Sequence, residues 1–270
     1  MQLTESDTAR IDRAFSTQAS HYDADDKDNA VLQDWRHRVY DHVERFLSPA
    51  ATILELNAGT GIDACHFARS GHHILATDLS LGMIAEMSAK VAAHNLTNVD
   101  VLPLAFEDLA TLPAQQFDYI FSNFGGLNCI KDLTLVARYI PNLLKPDGYL
   151  TWVIMPPFSP WELLSALKGR VKSFRRLAKN GALAHVEGEY FQTYYHSMSA
   201  ISRSLGSSFQ LVRVESLGVV TPPPSSVRLV NKFPGVFSVL YFIERKISAT
   251  FPFNRWGDHI IVTFQYKPVG

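Results

Sequence analysis

Across residues 52–155 the chain alternates short apolar runs with stretches of helical periodicity. Residues 53–56, 74–77, 99–104 and 119–122 read as buried strands. A glycine-containing turn and a helix ending near Gly71 separate the first two. Ser80 is placed to cap the next helix, because Met83, Ile84, Met87 and Val91 then share one face. A helix over 133–144 is expected to end at the turn 145–148, followed by a fifth strand at 149–155. Strands alternating with helices in this way predict a parallel sheet with right-handed crossovers.

The pattern changes beyond Pro156. Residues 161–179 read as helix, 190–196 as extended chain, 209–217 as a sixth strand and 236–247 as an amphipathic helix. Residues 259–266 then read as a closing strand. The whole of 1–270 is expected to be one domain. Residues 1–48 would form N-terminal helices, 49–157 the core, and 158–205 an insertion. Residues 206–270 would supply the last strands, with a second insertion at 220–258. Both insertions and the N-terminal helices should cover the carboxyl edge of the sheet, where open α/β sheets bind ligands.

Composition narrows the function. A formal net charge of −1 argues against a dedicated nucleic-acid binder. No apolar run is long enough to span a bilayer, and residues 1–13 lack the apolar stretch of a secretory signal. Cys65 and Cys129 are not in metal-like spacing, so reduced thiols and a cytoplasmic setting are expected, with no metal site. The oligomeric state is left open.

The strongest chemical signal is Glu55-Leu56-Asn57-Ala58-Gly59-Thr60-Gly61, which follows a strand and opens a helix. Gly59 and Gly61 let the backbone turn tightly and approach a ligand. A dinucleotide enzyme also carries a glycine-rich turn here, but the third glycine of a pyrophosphate loop is absent. Asp78 ends the second strand, where a carboxylate accepts both hydroxyls of a ribose. These residues resemble the class I S-adenosylmethionine-dependent methyltransferase family, especially its ubiquinone-biosynthesis-type small-molecule members. The resemblance implies a Rossmann-like seven-stranded sheet with helices on both faces, a helical cap, and S-adenosyl-L-methionine as cofactor. It implies cofactor contacts from Glu55, Asn57, Ala58, Gly59, Gly61, Asp78, Leu79, Met83, Phe106, Glu107, Ser122 and Asn123. Tyr22, with Phe15 and Asp23, is similar to the segment that closes over the methionine end. Asn57 stands where the family has glycine, and Ala105 where many relatives have an acid. Gly257-Asp258-His259 before the last strand is also similar.

On the acceptor side, Phe124, Asn128, Tyr194 and Tyr195 are candidate substrate contacts, and His196 is the candidate general base. His196 could equally cap the following helix. Residues 163–186 hold Lys168, Arg170, Lys172, Arg175, Arg176 and Lys179 and no acid. They form a solvated face or a site for an anion, with Arg175 and Arg176 as the bidentate pair. The aromatic content of 158–195 points to a small hydrophobic or aromatic acceptor, methylated on O, N or C. Two rivals stay open: a catalytically silent cofactor-binding protein and a nicotinamide-dependent oxidoreductase.

Overall fold

The computed structural model describes residues 5–167, 175–178 and 180–268. Seven strands form one sheet: β1 (Thr52–Leu56), β2 (His73–Asp78), β3 (Val99–Pro103), β4 (Phe117–Ser122), β5 (Leu144–Ile154), β8 (Phe209–Leu217) and β9 (His259–Tyr266). Their order is β3-β2-β1-β4-β5-β9-β8, parallel except that β9 runs antiparallel to β5 and β8. The chain leaves β1 toward one edge and later returns on its other side as β4, so the strand order reverses between them. At such a switch point the loops after the two strands diverge and leave a crevice.

Central strands are apolar on both faces, as a sheet covered twice requires. Leu54, Ile120, Trp152 and Val262 face one layer, which contains α5 (Thr134–Ala137), α6 (Ile140–Leu143) and α8 (Met198–Leu205). Ile53, Phe121, Val153 and Ile261 face the other, built from α2 (Ala30–Val43), α3 (Ile62–Arg69), α4 (Leu81–Ala93), α9 (Val227–Lys232) and α10 (Pro234–Ile247). α1 (Glu5–Lys27) crosses α4 and the hairpin of β6 (Ala182–Val186) and β7 (Glu189–Thr193). Short α7 (Pro160–Leu167) opens the first insertion.

Three expectations change. The helix expected over 133–144 is the two fragments α5 and α6, because Pro141 lacks the N–H that a continuous helix needs. The turn expected at 145–148 is an irregular start to β5, with Asp147 at φ +65°. The first insertion is not a purely helical cap: it contributes the β6–β7 hairpin, held to α1 by Arg13–Glu189 and by Phe15 against Phe191. The helical reading of 168–174, with Lys168, Arg170 and Lys172, lies outside the described residues, as does Lys179.

Contacts at the start of α4 fix α1 in place. Asp12 accepts from the Leu81 N–H and the Ser16 hydroxyl from the Gly82 N–H, so α1 caps another helix's free donors. A Cβ on Gly82 would lie 2.6 Å from Ser16 Cα. Backbone cannot yield there as a side chain would. Gly82→Ala is therefore expected to shift α1 and to cost about 1–3 kcal/mol, more than the small propensity gain in a first helical turn. Thermal melting together with cofactor titration checks it, and both should fall.

Candidate functional site

A cleft opens at the switch point, between the loops after β1, β2 and β4 and beneath α1. Asn57 begins its floor at φ +47°, a left-handed conformation that asparagine tolerates better than most residues. Its side chain compensates for the missing glycine. Nδ2 donates to the Asn123 carbonyl at 2.9 Å, and Oδ1 accepts from the Ser122 hydroxyl at 2.6 Å. The side chain fits because Gly126 has none: a Cβ there would meet Asn57 Cγ at 2.3 Å. Phe124 also has positive φ, +43°, so the loop after β4 holds a bulky residue in a costly conformation facing the cleft.

Asp78 lines the cleft with its carboxylate already oriented. Oδ2 accepts from the Gly59 N–H and Oδ1 from the Ser80 N–H, both at 2.8 Å. Burial lifts its pKa above the ordinary range, and these N–H groups oppose the shift. Each oxygen keeps lone-pair capacity for a hydroxyl. Leu79, Met83, Leu104 and Phe106 supply apolar walls, with Glu107 among the lining residues.

Below the loops lies a buried charged network. The Arg36 guanidinium sits between Asp26, at 2.6 Å, and Asp63. Asp63 also accepts from the Tyr40 hydroxyl at 2.6 Å and from Asn123 Nδ2 at 2.8 Å. Against the cost of burial, Arg36 and these donors hold Asp63 below its ordinary pKa. Glu55 lies buried beside them with Oε2 unpartnered, and burial followed by the nearby Asp63 charge lifts its pKa well above the usual range. Arg36 also lies 4.8 Å over the Phe124 ring.

Of the expected cofactor contacts, Tyr22, Asn57, Gly59, Asp78, Leu79, Met83, Phe106, Glu107 and Asn123 line this cleft. Four do not. Ser122 is buried behind Asn57; Ala58 spends its N–H on the Thr77 carbonyl; Glu55 lies beneath the loop. Gly61 serves packing, since a Cβ there would come 2.6 Å from Met87 Cγ. Phe124 is the one expected substrate contact that reaches the cleft.

The other acceptor-side expectations are corrected. His196 is buried with Nε2 3.1 Å from the Ile130 carbonyl oxygen, and burial lowers its pKa. It pins the Ile130 loop from behind and does not line the cleft. Asn128 is a brace: its amide donates to the Met155 and Tyr194 carbonyls and accepts from the Met155 N–H. Tyr194 is paired through its backbone to Asn128, while Tyr195 packs on Arg176. Arg176 is buried and committed to Glu162, Asp258 and the Pro156 carbonyl, so it has no free fork for an anion. Arg175 is half exposed beside Glu162.

Sequence reasoning missed Thr8, Ile11, Leu104, Cys129 and Ile130 as cleft lining, and it missed the Arg36 network. Burial pushes the Cys129 thiol up to about 12, so it lines the cleft as a neutral group. His259 was noted only for resemblance. Its Nδ1 is 3.0 Å from Asp258 Oδ1, and its ring lies edge-on to Phe124, 5.9 Å between centroids.

The strand order and the cleft at its switch point give the α/β methyltransferase fold. Residues 53–148 match the family model of the methyltransferase domain. It is 31% identical over 136 residues to demethylmenaquinone methyltransferase of Streptomyces avermitilis, covering 50% of this chain and 55% of that protein. The chain thus matches about half the length of such curated relatives. Two solved structures share the fold. Burkholderia thailandensis 1,6-didemethyltoxoflavin-N1-methyltransferase, with 1,6-didemethyltoxoflavin and S-adenosylhomocysteine bound, aligns over 99% of this chain and 92% of that one (TM-score 0.59, 16% identity). The [4+2]-cyclase SpnF aligns over 89% and 85% (TM-score 0.57, 19% identity).

Two substitutions test the site. Asp78→Ala is expected to weaken S-adenosylhomocysteine binding by about 1.5–3 kcal/mol per lost charged hydrogen bond, read by calorimetry. Unchanged affinity would remove the ribose role. Glu55 holds its proton to higher pH in the fold than in the unfolded chain. Stability should therefore fall as pH rises from about 4.3 through its raised value. Glu55→Gln should flatten that slope and raise the melting temperature at neutral pH in ligand-free protein; an unchanged pH profile would show that Glu55 is ionised in the fold.

Proposed function

We propose that the protein transfers the methyl group of S-adenosylmethionine to a small hydrophobic or aromatic acceptor. The observation that carries this reading is the charge of the cleft. Among the described residues its lining has acids, Asp78 and Glu107, and no Lys, Arg or His. The one cation beneath, Arg36, is shared by two carboxylates. Such a surface favours a ligand bearing a sulfonium and an ammonium, and disfavours the pyrophosphate of a nicotinamide dinucleotide.

The residues fit the cofactor. Asp78 would hold the ribose hydroxyls, the Leu79, Met83 and Phe106 walls the purine, and the Asn57–Gly59 loop the methionine end. When bound, the cofactor supplies an activated methyl group, so the protein's work is alignment and exclusion of water. α1, with Ile11, Phe15 and Tyr22, closes the cleft from above, while Phe124 and Ile130 bound the acceptor side. Cys129 stays protonated and takes no proton from the acceptor. An acceptor that must lose a proton would give it to His259, whose ring meets cleft-lining Phe124 edge-on beside the Asp258 carboxylate, rather than to His196. Asp258 is held down to about 2, against burial, by His259 and Arg176, so it remains an anion beside that ring. A cytoplasmic setting belongs to this proposal.

The fold alone does not decide the chemistry, since a [4+2]-cyclase shares it. Incubation of the protein with methyl-labelled S-adenosylmethionine and small-molecule extract is expected to move label into an organic-soluble product. Binding of the cofactor with no transfer to any fraction would favour the catalytically silent reading.

A further inference from the structure

The second insertion carries a surface that the cleft does not use. α10 is fixed on one side: Phe237, Leu240 and Tyr241 pack in the core layer. Glu244, fully buried, accepts from Arg38 Nη1 at 2.9 Å and from the N–H groups of Gly218, Val220 and Thr221. Those bonds tie the helix to the chain leaving β8, at the same edge of the sheet as the cleft. A helix so anchored would ordinarily turn polar residues to water. This one does not. Val236 (59% exposed), Val239 (58%), Phe242 (64%) and Ile243 (40%) lie at helical spacing on the outward side, and Leu229 and Phe233 of the preceding α9 turn are each 47% exposed. Six large apolar side chains within fifteen residues form the kind of patch that marks an interaction surface.

The charges around it indicate the partner. Residues 219–257 contain five basic residues, Arg228, Lys232, Arg245, Lys246 and Arg255, and one acid. That acid is Glu244, which is buried, so the exposed charge of the segment is wholly positive although the chain as a whole is slightly negative. Arg245 is partly matched by Asp34 at 3.2 Å. Lys232 and Lys246 lie within the apolar band, their ammonium groups 5.4 Å and 5.6 Å from the ring centroids of Phe233 and Phe242. The following turn repeats the pairing, with Phe251 74% exposed and Arg255 5.4 Å over its ring. Apolar and aromatic groups interleaved with long cationic side chains match one environment: the boundary between acyl chains and anionic headgroups. No described helix is long and apolar enough to cross a membrane, and α10 at 14 residues is suited to lying in the interface plane.

We propose that α9 and α10 dock the protein on an anionic lipid surface, with Val236, Val239, Phe242 and Ile243 inserted and Arg228, Lys232 and Lys246 on the headgroups. The docking requires no cofactor and is separable from methyl transfer. Co-sedimentation of the full chain with vesicles tests it, comparing phosphatidylcholine alone with phosphatidylcholine containing one third phosphatidylglycerol. Binding is expected to the anionic vesicles and to weaken as salt rises. Lys232→Glu/Lys246→Glu should lower that binding at least about tenfold, from the contribution expected per basic residue at such a surface. Val239→Ser/Phe242→Ser should lower it comparably. All four positions are exposed, and unchanged melting temperatures would confirm that the variants fold. Equal binding to neutral and anionic vesicles, or no binding to either, would overturn the proposal. So would a concentration-dependent dimer that the same variants dissolve, which would assign the patch to a second copy of the chain.

Discussion

One buried cation organises this end of the molecule. Removing a guanidinium from water is costly unless carboxylates replace the lost solvation, and Arg36 has two of them. Asp26 comes from α1, Asp63 from the first turn of α3 behind the cofactor loop, and Arg36 itself from α2. The pair of bridges therefore couples the covering helices to the loop they cover. Asn123 extends the coupling to the end of β4. Two carboxylates on one cation also leave the region with excess negative charge. Burial, and after it that excess, lift Glu55 toward its neutral form, and the excess makes the cleft hospitable to a cationic ligand.

The crevice itself follows from topology. β1 and β4 are neighbours across the switch point, so the loops after them diverge, and what shapes the opening is how closely their backbones approach. Asn57 and Gly126 settle that together. The asparagine supplies hydrogen bonds that glycine could not, and the glycine opposite supplies the room. A change at one position is therefore felt at the other, and the departure from the family's usual loop is compensated within the fold.

Much of this was legible in the chain. The strands at 209–217 and 259–266 were read to the residue because apolar alternation and flanking turns leave one register. The glycine loop and Asp78 were legible because a β-strand followed by a left-handed turn and a helix has few uses. The interruption at Pro141 was a local signal outweighed by apolar periodicity on both sides of it. The acceptor side was not legible. His196, Asn128 and Arg176 have the chemistry of site residues, but they serve as braces, since each meets its partners across long sequence separations. Arg36 and Asp63 went unnoticed for the same reason: nothing local announces that residues on α2 and α3 face each other under a loop. The hairpin at 182–193 was only half seen because its strands are short and lie outside the main sheet.

An acidic cleft of this kind should select a positively charged methyl donor over a dinucleotide. Isothermal titration of one preparation with S-adenosylmethionine, S-adenosylhomocysteine and a nicotinamide dinucleotide tests it most directly. Micromolar binding of the first two, about −8 kcal/mol, is expected, with no measurable heat from the dinucleotide. Clear dinucleotide binding with none of either sulfur compound would contradict it.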